Sequence, residues 1–283
     1  MKNIYFILLF LVSFLYSDQN PIAVITRLKG KAVIIRLDKK LEVEKYMPVY
    51  VEDKLKTFSS SFVELLFENG ISLRVEENCN LDFKKIDFKF SEGKKKTKMM
   101  LEIFQGASIV DVEVFKEKYQ LDSLHIITPT MVASVRGTVF YINVKDDYST
   151  NVAVFEGEVE GYIDKLDVEE LLKLDEEEYE MEELKRKRIV IPERKQTTFS
   201  YDVTTPAVID LTFNMLEYKR TVVDDFLKCT KEYRENFEKF KKQRDEWIRK
   251  HKEKFKKEIF EKKKKFMDEF EIEEKEFKNR RKK

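Results

Sequence analysis

The side chains that could support catalysis or metal binding are few and lie far apart in the sequence. The chain of 283 residues has two histidines, His125 and His251, and two cysteines, Cys79 and Cys229. A catalytic triad or a zinc site needs several such side chains held together. The sequence contains no H-E-x-x-H, G-x-S-x-G, Walker-type or C-x-x-C motif. We therefore predict a protein that is not an enzyme and has no metal and no cofactor. Two distant carboxylates acting as in a glycosidase are the remaining catalytic alternative.

The overall charge of the chain hides two oppositely charged parts. The 55 Lys and Arg residues nearly cancel the 54 Asp and Glu residues. Residues 207–283 hold 25 basic and 18 acidic side chains and carry +7, whereas residues 1–206 carry −6. A nucleic-acid-binding protein is expected to have a strong basic excess, so we predict no nucleic-acid partner. The basic tail could still attract an anionic envelope polymer.

Residues 1–17 have the composition of a secretory signal peptide. Lys2 precedes an apolar run from Ile4 to Tyr16, and Ser17 offers a small residue for cleavage. This run is shorter than the ~20 residues that cross a bilayer. We expect export across the inner membrane to the periplasm and no membrane span after removal of the signal. An uncleaved anchor is the alternative.

The front half of the chain, residues 22–162, alternates apolar and polar residues with the period of β-strands. Asn69-Gly70 lies between the alternating runs 62–67 and 71–75 and predicts a hairpin, because both turn residues tolerate positive φ. Further strands are predicted at residues 99–104, 107–114, 124–128, 135–144 and 152–162. Glycines lie in or beside several of these runs, as they do at strand corners and bulges. We predict a mainly β, layered domain of the β-sandwich or β-solenoid-like type over residues 20–200.

An acidic segment at residues 166–188 interrupts this pattern before the last strand. It is rich in Glu and Leu and ends in four basic residues, an order of charge that suits the helix dipole. We predict a short solvated helix inserted into the domain. A calcium site is disfavoured because the segment lacks the EF-hand spacing.

Motifs along the β region resemble, in order, those of the FecR protein family. The most specific is Ile127-Thr-Pro-Thr130 followed by Val135-Arg-Gly-Thr-Val-Phe140, which is similar to the family's T-P-x…v-R-G-T-x-F signature. The resemblance covers about residues 20–200 and rests on five segments: 57–75, 105–107, 127–140, 152–159 and 189–196.

The resemblance implies an extracytoplasmic β domain. In the best-known members, this domain is the periplasmic part of a regulator that passes a signal from an outer-membrane transporter to a sigma factor. Those regulators carry a cytoplasmic helical segment and a transmembrane helix before the domain, and this sequence lacks that pattern. The family signature gives six candidate binding residues: Thr128, Pro129, Arg136, Gly137, Thr138 and Phe140. For Arg136, a buried or edge ion pair is favoured over binding an anion.

A long helix is predicted over residues 207–283, because Pro206 is the last proline and Gly161 the last glycine. Continuous helix would extend roughly 110 Å. Its large apolar residues recur every eleven positions, which gives a nearly straight stripe along one face. The stripe consists of Met215, Val222, Phe226, Tyr233, Phe237, Ile248, Phe255, Ile259, Phe266, Phe270 and Phe277. Arg244 is the one polar residue at the same spacing.

A stripe of this kind needs a partner, since burying each side chain is worth about 1.5–3 kcal/mol. We expect a coiled coil between copies of the chain, hence a homo-oligomer. Packing of the helix on the β domain and binding to a membrane surface are the alternatives.

Together these features predict a secreted, non-enzymatic protein of the cell envelope. Its FecR-like domain would bind or sense a ligand, and its helix would mediate oligomerisation or docking. One alternative is a signalling regulator that acts through a separate membrane partner. Another is a structural or carbohydrate-associated envelope protein.

Overall fold

Two β-sheets stacked face to face form the body of the protein, and one strand passes from the first sheet to the second. The computed structural model describes residues 20–91, 93–163, 187–203 and 205–253. The predicted signal peptide, the predicted insertion up to residue 186 and the five stripe residues from Phe255 onward lie outside the described residues. The predicted mainly β fold is confirmed.

The strands are labelled in chain order. They are β1 (Ala23–Lys29), β2 (Ala32–Arg36), β3 (Lys39–Glu42), β4 (Pro48–Val49), β5 (Lys54–Thr57), β6 (Phe62–Phe67), β7 (Ser72–Val75), β8 (Asn80–Ser91), β9 (Lys94–Asp111), β10 (Tyr119–Ile127), β11 (Val132–Val135), β12 (Val139–Val144), β13 (Thr150–Glu156), β14 (Glu158–Tyr162), β15 (Arg188–Pro192), β16 (Lys195–Phe199) and β17 (Ile209–Asp210).

The first sheet, sheet A, has the order β4-β1-β6-β7-β9-β12-β13-β16-β17, with all pairs antiparallel. The second sheet, sheet B, has the order β3-β2-β5-β8-β9-β10-β11-β14-β15, in which only β9 and β10 run parallel. Their inner faces enclose one apolar core, to which sheet A contributes residues such as Leu65 and Phe140, and sheet B contributes Ile34 and Leu101.

Strand β9 belongs to both sheets and bends at Gly106. Its residues up to Gln105 pair with β8 in sheet B, and its residues from Gly106 pair with β12 in sheet A. Gly106 has φ +87°, and a Cβ there would lie 2.5 Å from the Cα of Cys79. Only glycine fits this corner, because the backbones approach too closely for any side chain.

The predicted hairpin at Asn69-Gly70 is confirmed, with one difference in its turn. Strands β6 and β7 pair Leu65 with Leu73, and both side chains are fully buried. The turn is a three-residue loop in which only Gly70 has positive φ, +100°. A two-residue turn with positive φ at both Asn69 and Gly70 is therefore not what the chain forms.

Several predicted strands are divided or were missed. Residues 135–144 and 152–162 each form two strands that separate at Gly137 and Gly157, because the chain changes sheets there. Strands β3, β5 and β8 were not predicted. Their lysine-rich sequences, such as Asn80–Ser91, obscure the alternation.

The C-terminal region begins later than predicted and is not one continuous helix. Helix α1 (Phe213–Tyr218) starts at the N-cap Thr212 and continues through a π-helical turn (Lys219–Val223) into α2 (Asp224–Glu235). Asn236, with φ −104° and ψ 21°, interrupts the helix, and α3 covers residues 237–253 of the described part. None of the described helices is both long and apolar enough to cross a bilayer.

These helices lie against the outer face of sheet A. Val223 and Phe226 are fully buried in an apolar cluster with Ile109 and Phe155 of the sheet. Tyr233 packs on Val24 and Leu66 in a second cluster, with Phe237 at its margin. The described part of the stripe thus follows the alternative of packing on the β domain.

Candidate functional site

Three of the six signature residues, Gly137, Thr138 and Phe140, have structural roles at or next to the corner where the chain passes between the sheets. Thr138 donates hydrogen bonds to the carbonyl oxygens of Glu158 (2.7 Å) and Arg136 (3.0 Å). Gly157 lies so close to this turn that a Cβ on it would be 2.8 Å from the carbonyl oxygen of Gly137. Phe140 is fully buried in the core between the sheets. The R-G-T-x-F motif therefore fixes two sheet-to-sheet crossings against each other.

Thr128 and Pro129 lie in the turn between β10 and β11, where buried threonine hydroxyl groups hold the chain. The hydroxyl of Thr128 donates to the carbonyl of Met131 (3.1 Å) and accepts from Thr150 (2.9 Å). The hydroxyls of Thr130 and Thr150 lie 2.8 Å apart. Because buried polar groups are costly without partners, this chain of hydroxyls ties the turn to β13.

Arg136 is the signature residue whose side chain reaches solvent. Among the described residues its guanidinium makes no hydrogen bond or ion pair, so the predicted ion pair is not found there. It lies at a groove of about 560 Å³ that the loop after β9 and the start of β10 also line. This groove is the candidate binding site next to the signature corner.

The three cations and three carboxylates that line the groove cancel, and Arg234 beside it leaves an excess of one positive charge. Asp111 and Glu113 line it, but their carboxylates accept from Arg234 at 2.7 and 2.9 Å. The remaining charged side chains in its lining are Lys94, Lys116 and Arg136 against Glu156. The groove can therefore attract an anionic group of a ligand.

A second cluster of charged residues, which the sequence did not reveal, lies buried between sheet A and the helices. The carboxylate of Glu64 is fully buried and accepts from Arg74 (2.9 Å) and from the hydroxyl of Tyr233 (2.6 Å). Arg74 also donates to Glu76 (2.7 Å), which accepts from the hydroxyl of Tyr218 (2.8 Å). We call these five residues the helix clamp.

Further along the same interface, Arg234 and Arg244 fasten the helices to loops of the body. Arg234 donates to Asp111 and to the carbonyl oxygen of Gly70 (2.9 Å). Arg244, the one polar residue in the eleven-residue stripe, pairs with Glu68. An arginine is suited to this position of the otherwise apolar stripe because the stripe faces the loop that contains Glu68 there.

The phenol groups of the interface are held in their neutral form. Burial first, and then the charge of Glu76, raises the pKa of Tyr141 to about 12. Burial and the adjacent Glu76 raise the pKa of Tyr218 strongly, and burial and Glu64 do the same for the pKa of Tyr233. Each phenol can therefore donate a hydrogen bond to a carboxylate over the whole neutral range.

The cysteines and histidines do not form a reactive site in the described part of the chain. Both cysteines are free: Cys79 lies in the core, where burial raises its pKa to about 12, and Cys229 lies half-buried on α2. His125 is buried on β10, and His251 stacks on Trp247 of α3. The described residues hold no group of three or more potential metal ligands.

Of the stripe residues that the structure describes, most contact the body instead of a second helix. Phe226 and Tyr233 are buried, and Met215 and Val222 pack at the margin of the cluster around Phe226. The ring of Phe237 lies 4.9 Å from that of Phe115. While the helices lie on the sheet, the buried residues are not available to a second copy of the chain. The homo-oligomer stays a prediction. Ile248 is half-buried on α3.

Residues 53–160 match the model of the FecR protein family. The predicted resemblance is confirmed over this range, which is shorter than the 20–200 expected and excludes the segment 189–196. No curated protein matches this chain.

Two crystal structures of a "putative anti-sigma factor" from Parabacteroides distasonis, at 2.50 and 1.65 Å resolution, are similar to this chain. Both are 10% identical to it and cover 60% of it, with TM-scores of 0.41 and 0.40. The similarity spans 64% and 65% of the Parabacteroides chains, which is less than two thirds of their length.

Proposed function

We propose that the FecR family domain at residues 53–160 makes this protein a non-enzymatic binding or sensing module of the cell envelope. The family match is the observation that carries the proposal. Export to the periplasm is supported by the signal-like composition of residues 1–17.

The groove beside the signature corner is the surface on which such a module would bind its ligand. Its free cations, Lys94, Lys116 and Arg136, favour a ligand with anionic groups. The corner beneath it is rigid because Thr138 and the two glycines fix its backbone. A rigid scaffold holding exposed charges is suited to recognition, since little ordering is needed on binding.

The helical region docks on the β domain of the same chain. Helices α1 to α3 cover sheet A and are fixed there by the helix clamp and by Arg234. Oligomerisation through the stripe is therefore proposed only for residues beyond 253, which include Phe255 and Phe266.

Cell fractionation with N-terminal sequencing of the mature chain tests the location. We expect the protein in the periplasmic fraction with an N-terminus near Asp18. A chain that stays in the cytoplasm with Met1 intact contradicts the proposal. The regulator alternative predicts in addition a neighbouring gene for a sigma factor or a TonB-type receptor.

An envelope-polymer role is the second candidate, and the cations of the groove favour it. Purified peptidoglycan sacculi are the probe, and the full chain is compared with the double variant Lys116→Ala, Arg136→Ala. We expect about tenfold weaker sedimentation with sacculi for the variant, since two free cations are removed. The control Lys29→Ala, Lys40→Ala has the same charge change away from the groove. Equal loss in both variants contradicts this role.

A further inference from the structure

The hairpin of β8 and β9 has an open edge. Strand β5 pairs with β8 only at Asn80–Asp82, and Phe83 makes the last backbone hydrogen bonds on that side, with Glu52 and Asp53. Within the described ranges, no strand pairs with the remaining edge of β8, residues 84–91. Such an edge offers unpaired backbone groups to another strand.

The side chains along this edge alternate between apolar and charged. Phe88 and Phe90 lie on one face and are 38% and 76% exposed. Lys85 and Lys89 lie on the opposite face and are exposed, and Asp87 between them pairs with Lys85 at 3.4 Å. Large exposed aromatic side chains on an open strand are unusual for a surface that has no partner.

The charge of this hairpin is opposite to that of the chain around it. Residues 84–98 contain seven lysines against Asp87 and Glu92, so the segment carries +5, whereas residues 1–206 as a whole carry −6. The positive charge is thus concentrated on two strands. A field of one sign on a small surface attracts a partner of the opposite sign.

We propose that the open edge of β8 binds an extended segment of a partner protein in which apolar and acidic residues alternate. The segment adds a strand next to residues 84–91, so that main-chain hydrogen bonds supply affinity. Its apolar side chains contact Phe88 and Phe90, and its carboxylates pair with Lys85 and Lys89. The alternation follows because neighbouring side chains of a strand point to opposite faces.

A second copy of the chain fits this edge less well than an acidic partner. Two hairpins of charge +5 repel each other, and lysines on an edge strand are a common device against self-pairing. The proposal does not depend on the envelope location, and it concerns different residues from the groove at Arg136.

Peptide binding to the full chain tests the proposal. The probe is a fluorescein-labelled ten-residue peptide of alternating valine and glutamate, followed by fluorescence anisotropy. The variant Lys85→Glu, Lys89→Glu should bind it at least about tenfold more weakly, since like charges then face each other. The matched control Lys29→Glu, Lys40→Glu, which has the same net charge, should stay within about twofold of the wild type.

Three further measurements separate strand addition from simple charge attraction. A peptide N-methylated at alternate residues keeps its charge but loses main-chain donors, and it should not bind. A peptide with lysine in place of glutamate should bind the reversed variant better than the wild type. Phe90→Ser should weaken binding about threefold, the size of one cross-strand contact. If the reversed variant fails to fold by circular dichroism, Lys85→Gln, Lys89→Gln replaces it.

The opposite outcomes overturn the proposal. They are equal binding of the N-methylated peptide, equal loss in the matched control, or no binding of the glutamate peptide to the wild type. A dimer that only Lys85→Glu, Lys89→Glu dissociates assigns the edge to a second copy. If replacing Glu176, Glu177 and Glu178 by glutamine makes the peptide bind more tightly, the acidic segment of the chain itself competes for the edge of β8, and the edge is assigned to that segment.

Discussion

The two faces of sheet A are both buried, but by different means. On the inner face, side chains such as Leu65, Leu73 and Phe140 belong to one apolar cluster with residues of sheet B. On the outer face, the same strands present Glu64 and Arg74, which are buried under the helices. Neighbouring residues of one strand therefore belong to an apolar core and to a charged interface.

This difference indicates that the two interfaces respond to different conditions. Apolar burial is non-directional and does not depend on pH. A buried charge pair changes the free energy of folding little as long as both partners are present. Loss of one partner is strongly destabilising, because the other charge is then buried alone. The core should define whether the β domain folds, and the helix clamp should define whether the helices stay on it.

The largest expected effect is on the inner face. Phe140→Ala should lower the free energy of unfolding by about 3–5 kcal/mol, because a fully buried ring leaves a cavity in the core. Urea denaturation followed by circular dichroism measures it. The adjacent Tyr141→Phe, which points to the outer face, is the control, and a comparable loss there contradicts the distinction between the faces.

A smaller and more local effect is expected from the helix clamp. Glu64→Ala leaves Arg74 buried beside an absent carboxylate and should cost about 3 kcal/mol. The loss should appear first as protease cleavage within residues 213–253, with the β domain still resistant. Glu44→Ala, at the exposed contact with Trp247, serves as control. Simultaneous cleavage of helices and sheets indicates that they unfold as one unit.

The smallest effect concerns pH. The pKa of Tyr218 and the pKa of Tyr233 are raised above the ordinary value of 10.0 by burial and by Glu76 and Glu64. A raised pKa contributes stability that is complete below pH 10 and is lost as the pH rises above it, because only the unfolded chain then loses its protons. Protease resistance of the helices should fall above about pH 10. The fall should be shallower in Tyr218→Phe, Tyr233→Phe, and an identical slope contradicts the assignment.

Local patterns predicted much of the β domain. The alternation at 62–67 and 71–75, together with Gly70, was sufficient for the hairpin, since a period of two allows one face to be buried. The FecR-like signature contains Gly137 and Thr138 of the corner, although the sequence predicted one strand across it. It did not indicate that the Arg136 side chain is exposed, because exposure depends on the crossing of β11 into β12.

The C-terminal region shows where sequence patterns fail. An apolar stripe that repeats every eleven positions requires only an apolar surface to pack against. A sheet meets this requirement as well as a second helix does. Nothing in the spacing distinguishes the two. Arg244 was the one exception in the stripe, and its pairing with Glu68 depends on a loop 176 residues away.

The sequence by itself determined many of the strand residues, where the Asn69-Gly70 hairpin turns and that the helical region carries an apolar stripe, because these features follow from local period and backbone freedom. Only the tertiary structure decided what faces each surface. In the sequence, a hairpin with Glu64 and Arg74 on one side has the pattern of a solvent-exposed face. It becomes a buried, charged interface because helices more than a hundred residues later in the chain fold back and cover it.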